Sequence, residues 1–318
     1  MVSRVHRVPD VRFSRRAVLR AAGAAGLLTF TGMHPAVFAQ EATPGAGGYP
    51  ELTITATDYH FDLPDSVAGG WTRVTLVNNS ESDHHAMLMR PHEGKTIDDV
   101  TAALQSPDLG ALLSVAESIG GGNVGPGGTA STIVNIDPGS YVVVCAIPGP
   151  DGRPHYMMGM QAPLDVTEAA GGASAPETDT TITLVEMSFD GLPDDATAGE
   201  ATWEVTNGGE QLHEFIVMRL GEGVSFDMAK GILMSGEAAT PASGAAAPSG
   251  PASPPAGMAM QGPPFMQIGG AAPMSPGYTN YPVLDLETGD YFAICFVPDA
   301  KTGEPHFMMG MIAPFSVA

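Results

Sequence analysis

The stretch "PHYMMGM" (Pro154–Met160) returns as "PHFMMGM" (Pro305–Met311) with one residue changed. The chain around it repeats too. "TITATDYHFDLP" (Thr53–Pro64) matches "TITLVEMSFDGLP" (Thr181–Pro193), and "VNNSESDHHAMLM" from Val77 falls ungapped on "VTNGGEQLHEFIV" from Val205, both at a spacing read as 128 residues. "IDPGSYVVVCAIPGPDGRPHYMMGM" (Ile136–Met160) matches "LETGDYFAICFVPDAKTGEPHFMMGM" (Leu286–Met311), offset by 150 at the cysteines and 151 at the last His and Met. Self-similarity of this kind means one structural unit built twice, so any fold assigned must suit both copies.

The repeated segments read as strands. "LTITATDYHF", "WTRVTLVN", "STIVNI" and "SYVVVCAI" are rich in Val, Ile, Thr and aromatics and are bounded by Gly, Pro, Asn and Asp. Short strands with alternating apolar residues predict an all-β chain of two tandem Greek-key β-sandwiches, over 51–168 and 179–318. Two kinds of insertion interrupt them. Residues 95–118 carry apolar residues at helical spacing (Ile97, Val100, Leu104, Leu109, Leu112, Val115), and "FDMAKGILMSG" begins the equivalent region of the second copy. Residues from about 236 to 265 are rich in Ala, Ser, Pro and Gly and predict a disordered excursion. Residues 40–50 and 169–178 read as linkers.

Charge narrows the partners. The formal net charge is −22, which argues against nucleic acid or an anionic membrane, because phosphate binding needs a basic face. Six of the 13 basic residues fall within 1–39, where Arg15–Arg16 precede the apolar run Ala21–Met33 and "VFAQ". That segment predicts a twin-arginine export signal, an extracytoplasmic (periplasmic or secreted) mature chain, and no membrane-spanning segment after it. The acidic surface suits either steering of a basic partner or simple solubility.

Each copy then offers four soft or borderline metal ligands in one order. The first has His85, Cys145, His155 and Met160; the second has His213, Cys295, His306 and Met311. Nine residues separate Cys from His in the first copy and ten in the second, with four between His and Met in both. A thiolate, two imidazoles and a weak thioether suit copper in a trigonal site with a long axial bond. Met158 and Met309 compete for the thioether role, and His84 competes with His85 but pairs with Leu212 in the ungapped alignment. His60, opposite Ser188, reads as a strand residue, and His92 as a surface one. In an oxidising compartment Cys145 and Cys295 invite a disulfide, but matching positions in two domains place them far apart. Buried inert thiols are the other plain alternative.

Both copies resemble the cupredoxins, the blue-copper fold of plastocyanins and azurins. "CAIPGPDGRPHYMMGM" is similar to the ligand loop of copper nitrite reductases and two-domain multicopper proteins. The resemblance implies one type-1 copper per domain, two per chain, with His85 and His213 as the first imidazoles, Cys145 and Cys295 as thiolates, His155 and His306 as the second imidazoles, and Met160 and Met311 as axial thioethers. It implies single-electron transfer, with an unknown redox protein as donor or acceptor, and copper storage or delivery or a metal-free binding scaffold as alternatives. The enzymes of that superfamily hold further copper through His-x-His pairs or a His beside the cysteine. Here no His-x-His occurs, and Val144, Ala146, Ile294 and Phe296 flank the cysteines, so the expectation is an electron carrier and not an enzyme. Met258, Met260, Met266 and Met274 in the insertion suit either Cu(I) capture or plain solvated sequence.

Overall fold

The computed structural model describes residues 48–169, 171–178, 180–235 and 263–318. The segment expected to be an export signal at 1–39, most of the first expected linker, and residues 236–262 with Met258 and Met260 lie outside the described residues. No helix among those described is long and apolar enough to cross a membrane.

The first copy runs β1 (Glu51–Thr57), β2 (His60–Asp62), β3 (Ser66–Ala68), β4 (Gly70–Asn78) and β5 (His84–Pro91). Helices α1 (Ile97–Ala103) and α2 (Leu109–Leu113) follow, then β6 (Ala116–Val124), β7 (Thr129–Ile136), β8 (Gly139–Val144) and β9 (Gln161–Thr167). The second copy opens with β10 (Thr181–Val185), β11 (Ser188–Asp190), β12 (Asp195–Ala196), β13 (Gly199–Thr202), β14 (Glu204–Asn207) and β15 (His213–Leu220). It continues through α3 (Phe226–Ser235), β16 (Phe265–Met274), β17 (Thr279–Leu286), β18 (Gly289–Ile294) and β19 (Ile312–Val317). The protein is all-β, and among the described residues its α-helices fall where the apolar spacing changes from two to three or four. Thr96 and Asp99 form a reciprocal capping box that starts α1.

The strands alternate as a half-buried sheet demands. In β1, Leu52, Ile54 and Ala56 are buried and their neighbours face outward. Each copy stacks two sheets: β2-β1-β4-β7 faces β3-β9-β8-β5-β6 in the first. The two tandem sandwiches share their sheets, each of which continues from one copy into the other. β6 pairs antiparallel with β16, Gly122 opposite Ala271, and β7 pairs antiparallel with β17, Thr132 opposite Pro282. Each of those pairs joins matching positions of the two copies, so a local two-fold axis relates them. The result is one nine-stranded and one ten-stranded sheet.

Polar residues fasten this junction. Asn280 on β17 is fully buried; its Oδ1 accepts from Gly121 N at 2.9 Å and its Nδ2 donates to Ile119 O at 2.8 Å, both on β6. Arg90 of the first copy donates to Glu117, to Asp137 and to the Tyr278 hydroxyl of the second, each at 2.7 Å. Two expectations about the insertion change. Phe265 begins β16 and stacks edge-on against Phe292, so ordered structure resumes by that residue. Met274 is buried in the same strand and pairs with Ile119, while Met266 is an exposed strand residue; neither belongs to a solvated tract.

Candidate metal centres

The motif Pro-His-x-Met-Met-Gly-Met has a local explanation. Pro154 and Pro305, with φ near −58°, precede short 3₁₀ turns at His155–Met158 and His306–Met309. Each turn ends on a glycine with positive φ, 109° at Gly159 and 117° at Gly310, a conformation that costs a side-chain-bearing residue far more. The chain therefore folds back, and Met160 N and Met311 N donate to the His155 and His306 carbonyls at 3.0 Å. Backbone bonds tie this loop to the cysteine: Tyr156 N to Cys145 O at 2.8 Å and Phe307 N to Cys295 O at 2.9 Å. The extra residue of the second loop is absorbed at its tip. There Asp299 N reaches Glu304 O, where Gly149 N reaches Arg153 O in the first.

In both copies this loop delivers a cysteine and a histidine to the same place. Cys145 Sγ lies 3.5 Å from His155 Nδ1, and Cys295 Sγ lies 3.5 Å from His306 Nδ1. The third donor comes from the start of β5 or β15. His84 Nδ1 is 3.8 Å from Cys145 Sγ and 3.3 Å from His155 Nδ1. Donor atoms of His84, Cys145 and His155 lie within 4.8 Å of one another, as do those of His213, Cys295 and His306. All six residues are buried, and both cysteines are free thiols rather than a disulfide.

The first histidine is thus His84, not His85, and the reason is a single residue. "FDLP" in the first copy is "FDGLP" in the second, and the added Gly191 shifts all that follows from an offset of 128 to 129. Asn78 and Asn207 show the true equivalence. Each donates through Nδ2 to a carbonyl four residues on, Ser82 at 2.7 Å and Gln211 at 2.8 Å. Each also accepts at 3.0 Å from the amide two residues on. That shared turn presents His84 and His213 identically, and an alignment anchored on the two asparagines finds His84.

His85 takes a different place, matched by Glu214. Its Nε2 accepts from Ala146 N at 2.7 Å, and Glu214 Oε1 accepts from Phe296 N at 2.8 Å. Each side chain therefore holds the amide that follows the cysteine. Glu214 N also approaches Cys295 Sγ at 3.5 Å. The methionines sort as well: Met160 and Met311 are fully buried, each in the apolar cluster that contains its cysteine. Met158 rests against Gly149, and Met309 is 39% exposed. His60 is exposed on β2, and His92 is half-buried with Nε2 3.0 Å from Leu113 O.

The environment favours neutral ligands. Burial lowers the histidines, with His84 at about 3 and His155 and His213 at about 4. Burial also pushes the Cys145 thiol up to about 12 and the Cys295 thiol well above its usual value. A buried thiol beside two neutral imidazoles gains little unless a cation replaces its proton. His213 Nδ1 is buried without a hydrogen-bond partner, as a ligand atom of a metal-binding pocket would be. The donor set fits copper better than a hard cation, because thiolate and imidazole are soft or borderline.

No family model matches the sequence, and no curated protein matches it significantly. Solved structures similar to it include auracyanin A, described as a "blue" copper protein, from Chloroflexus aurantiacus. It is 21% identical, over 37% of this chain and 98% of that one, at a TM-score of 0.25. The dithionite-reduced auracyanin of Roseiflexus castenholzii is 19% identical, over 45% and 99%, at 0.27. A copper nitrite reductase from Nitrosomonas europaea is 14% identical, over 84% and 93%, at 0.22. All three scores are low, and the donor sets themselves carry the chemistry.

Proposed function

We propose that this chain is an exported copper protein that carries single electrons, with one type-1 copper held in each copy. His84, Cys145, His155 and Met160 would hold the first, and His213, Cys295, His306 and Met311 the second. The observation behind the reading is the double convergence of one thiol and two imidazoles within 4.8 Å, set on rigid sheets by loops of unlike length. Copper bound there supplies a one-electron couple between Cu(I) and Cu(II).

The residues around each donor set restrict how it can rearrange. Ala146 N and Phe296 N are held by His85 and Glu214, so the strand end beyond each cysteine is tied to the strand that brings the first histidine. Fixing donors from two strands in one geometry lowers the reorganisation that accompanies a change of charge. Neither cysteine has a neighbouring histidine in sequence, so this reading assigns the chain a carrier's role and no turnover of its own. The two copies would belong to domains 51–168 and 179–318, delivered outside the cytoplasm by the twin-arginine segment, and would serve a redox protein partner.

A redox titration of the copper-loaded protein tests it. Two reversible one-electron steps per chain, with the thiolate-to-copper absorption lost and regained, are expected. Copper that cannot be reoxidised in place, yet passes as Cu(I) to a metal-free acceptor, would replace the carrier reading with storage or delivery.

A further inference from the structure

A cavity of about 280 Å³ lies between the two copies, close to the strands that carry the first histidines. Met87, Leu212, Ile216, Met218 and Phe296 give it apolar walls. Three polar side chains on the wall are already paired. Glu214 accepts from Phe296 N and, through Oε2, from Asn123 Nδ2 at 3.3 Å, and Gln267 Nε2 donates to Asn123 Oδ1 at 2.6 Å.

Two others are not. Asp83 and His85 line the same cavity, are 7% and 4% exposed, and leave Asp83 Oδ1 and His85 Nδ1 buried without partners. Because His85 Nε2 accepts from Ala146 N, the neutral ring carries its proton on Nδ1. The wall therefore presents one unused N–H donor, on His85, and one unused carboxyl oxygen, on Asp83, the residue that precedes β5.

We infer that this cavity is a binding site for a small uncharged molecule with an apolar body and one hydroxyl group. A hydroxyl offers both complements, a lone pair for the His85 Nδ1 proton and a proton for Asp83 Oδ1. No lysine or arginine among the described residues lines the cavity, so a carboxylate or phosphate would face the Asp83 and Glu214 carboxyl groups with no cation to pair with. An ammonium has no lone pair for the His85 proton, and a hydrocarbon leaves both atoms unpaired. The volume sits at the small end of ligand pockets, which run from about 300 Å³ upward, so a single ring fits the scale.

The test uses the full-length, copper-free protein and benzyl alcohol, followed by calorimetry. Saturable one-to-one binding is expected, at least about tenfold tighter than benzyl methyl ether, which accepts but cannot donate. Benzylamine and benzoate should not compete. Asp83→Leu, which installs the residue the second copy has at this position, should weaken binding of the alcohol about tenfold, and Ile216→Trp should block it. Equal affinity for the ether or for toluene would overturn the inference. So would binding that survives both substitutions, or a cavity that holds only water in a crystal soaked with the alcohol. If Asp83→Leu fails to fold, the comparison of alcohol with ether on the unaltered protein decides.

Discussion

Glu186 Oε1 lies 3.7 Å from Nε2 of the buried His213, whereas the matching nitrogen of His84 is 2.8 Å from the Ser80 hydroxyl. The two donor sets are alike, but a carboxylate stands behind one imidazole and a neutral hydroxyl behind the other. A carboxylate there stabilises the more positive oxidation state of a bound metal, as partners behind metal-ligating histidines commonly tune the centre. The second site should therefore have the lower reduction potential. Glu186→Gln should raise that potential and leave the first site unchanged, read by spectroelectrochemical titration. Glu186 is 42% exposed on its side chain, so solvent screening keeps the shift modest.

His84 and His85 separate cleanly by substitution. His84→Ala should abolish copper at the first site, because the imidazole at 3.8 Å from Cys145 Sγ is lost. His85→Gln keeps an acceptor for Ala146 N and should retain the metal. Copper-to-protein ratios from elemental analysis distinguish them: about one for His84→Ala and about two for His85→Gln, on the two-site reading.

Copper uptake should release protons in a defined number. With the imidazoles lowered to about 3 to 4 and the Cys145 thiol raised to about 12, the histidines are already unprotonated at neutral pH and only the thiol must lose a proton. Roughly one proton should leave per copper between pH 5 and 8, so affinity rises about tenfold per pH unit. Calorimetry in buffers of different ionisation enthalpy gives the count. A value near three would mean that the imidazoles are protonated before binding.

The glycines where β6 and β16 pass their neighbours should tolerate no side chain. A Cβ at Gly121 would sit 2.0 Å from Ala86 O at φ 137°, and at Gly270 1.9 Å from Phe215 O at φ 145°. Gly121→Ala and Gly270→Ala should each cost roughly 2–4 kcal/mol. Asn280→Ala, which leaves Gly121 N and Ile119 O unpaired across the junction, should cost about 1–3 kcal/mol. Thermal unfolding of the purified variants checks all three.

Much of this architecture can be read from residues. Strand alternation around Leu52, Ile54 and Ala56, the capped helix at Ile97 and the paired Cys-His-Met loops all leave local signals. The junction does not. Gly122 opposite Ala271 and Thr132 opposite Pro282 are pairings between strand edges, and an edge carries no mark of which partner it will meet. An ungapped alignment places the first histidine one residue late because Gly191 sits in a turn, where an added residue leaves the strands intact. The shared role of His85 and Glu214, each accepting from the amide after its cysteine, is hidden for a related reason. Unlike side chains do the same job on the amide after the cysteine, so the repeat hides their equivalence.

Copper stoichiometry and visible absorption of the mature protein, measured beside Cys145→Ser, Cys295→Ser and the double variant, test the two-site account most directly. The account predicts two coppers per chain with an intense thiolate-to-copper band, one copper with part of the band in either single variant, and none in the double. Full copper content in the double variant, or no copper in the unaltered protein, would contradict it.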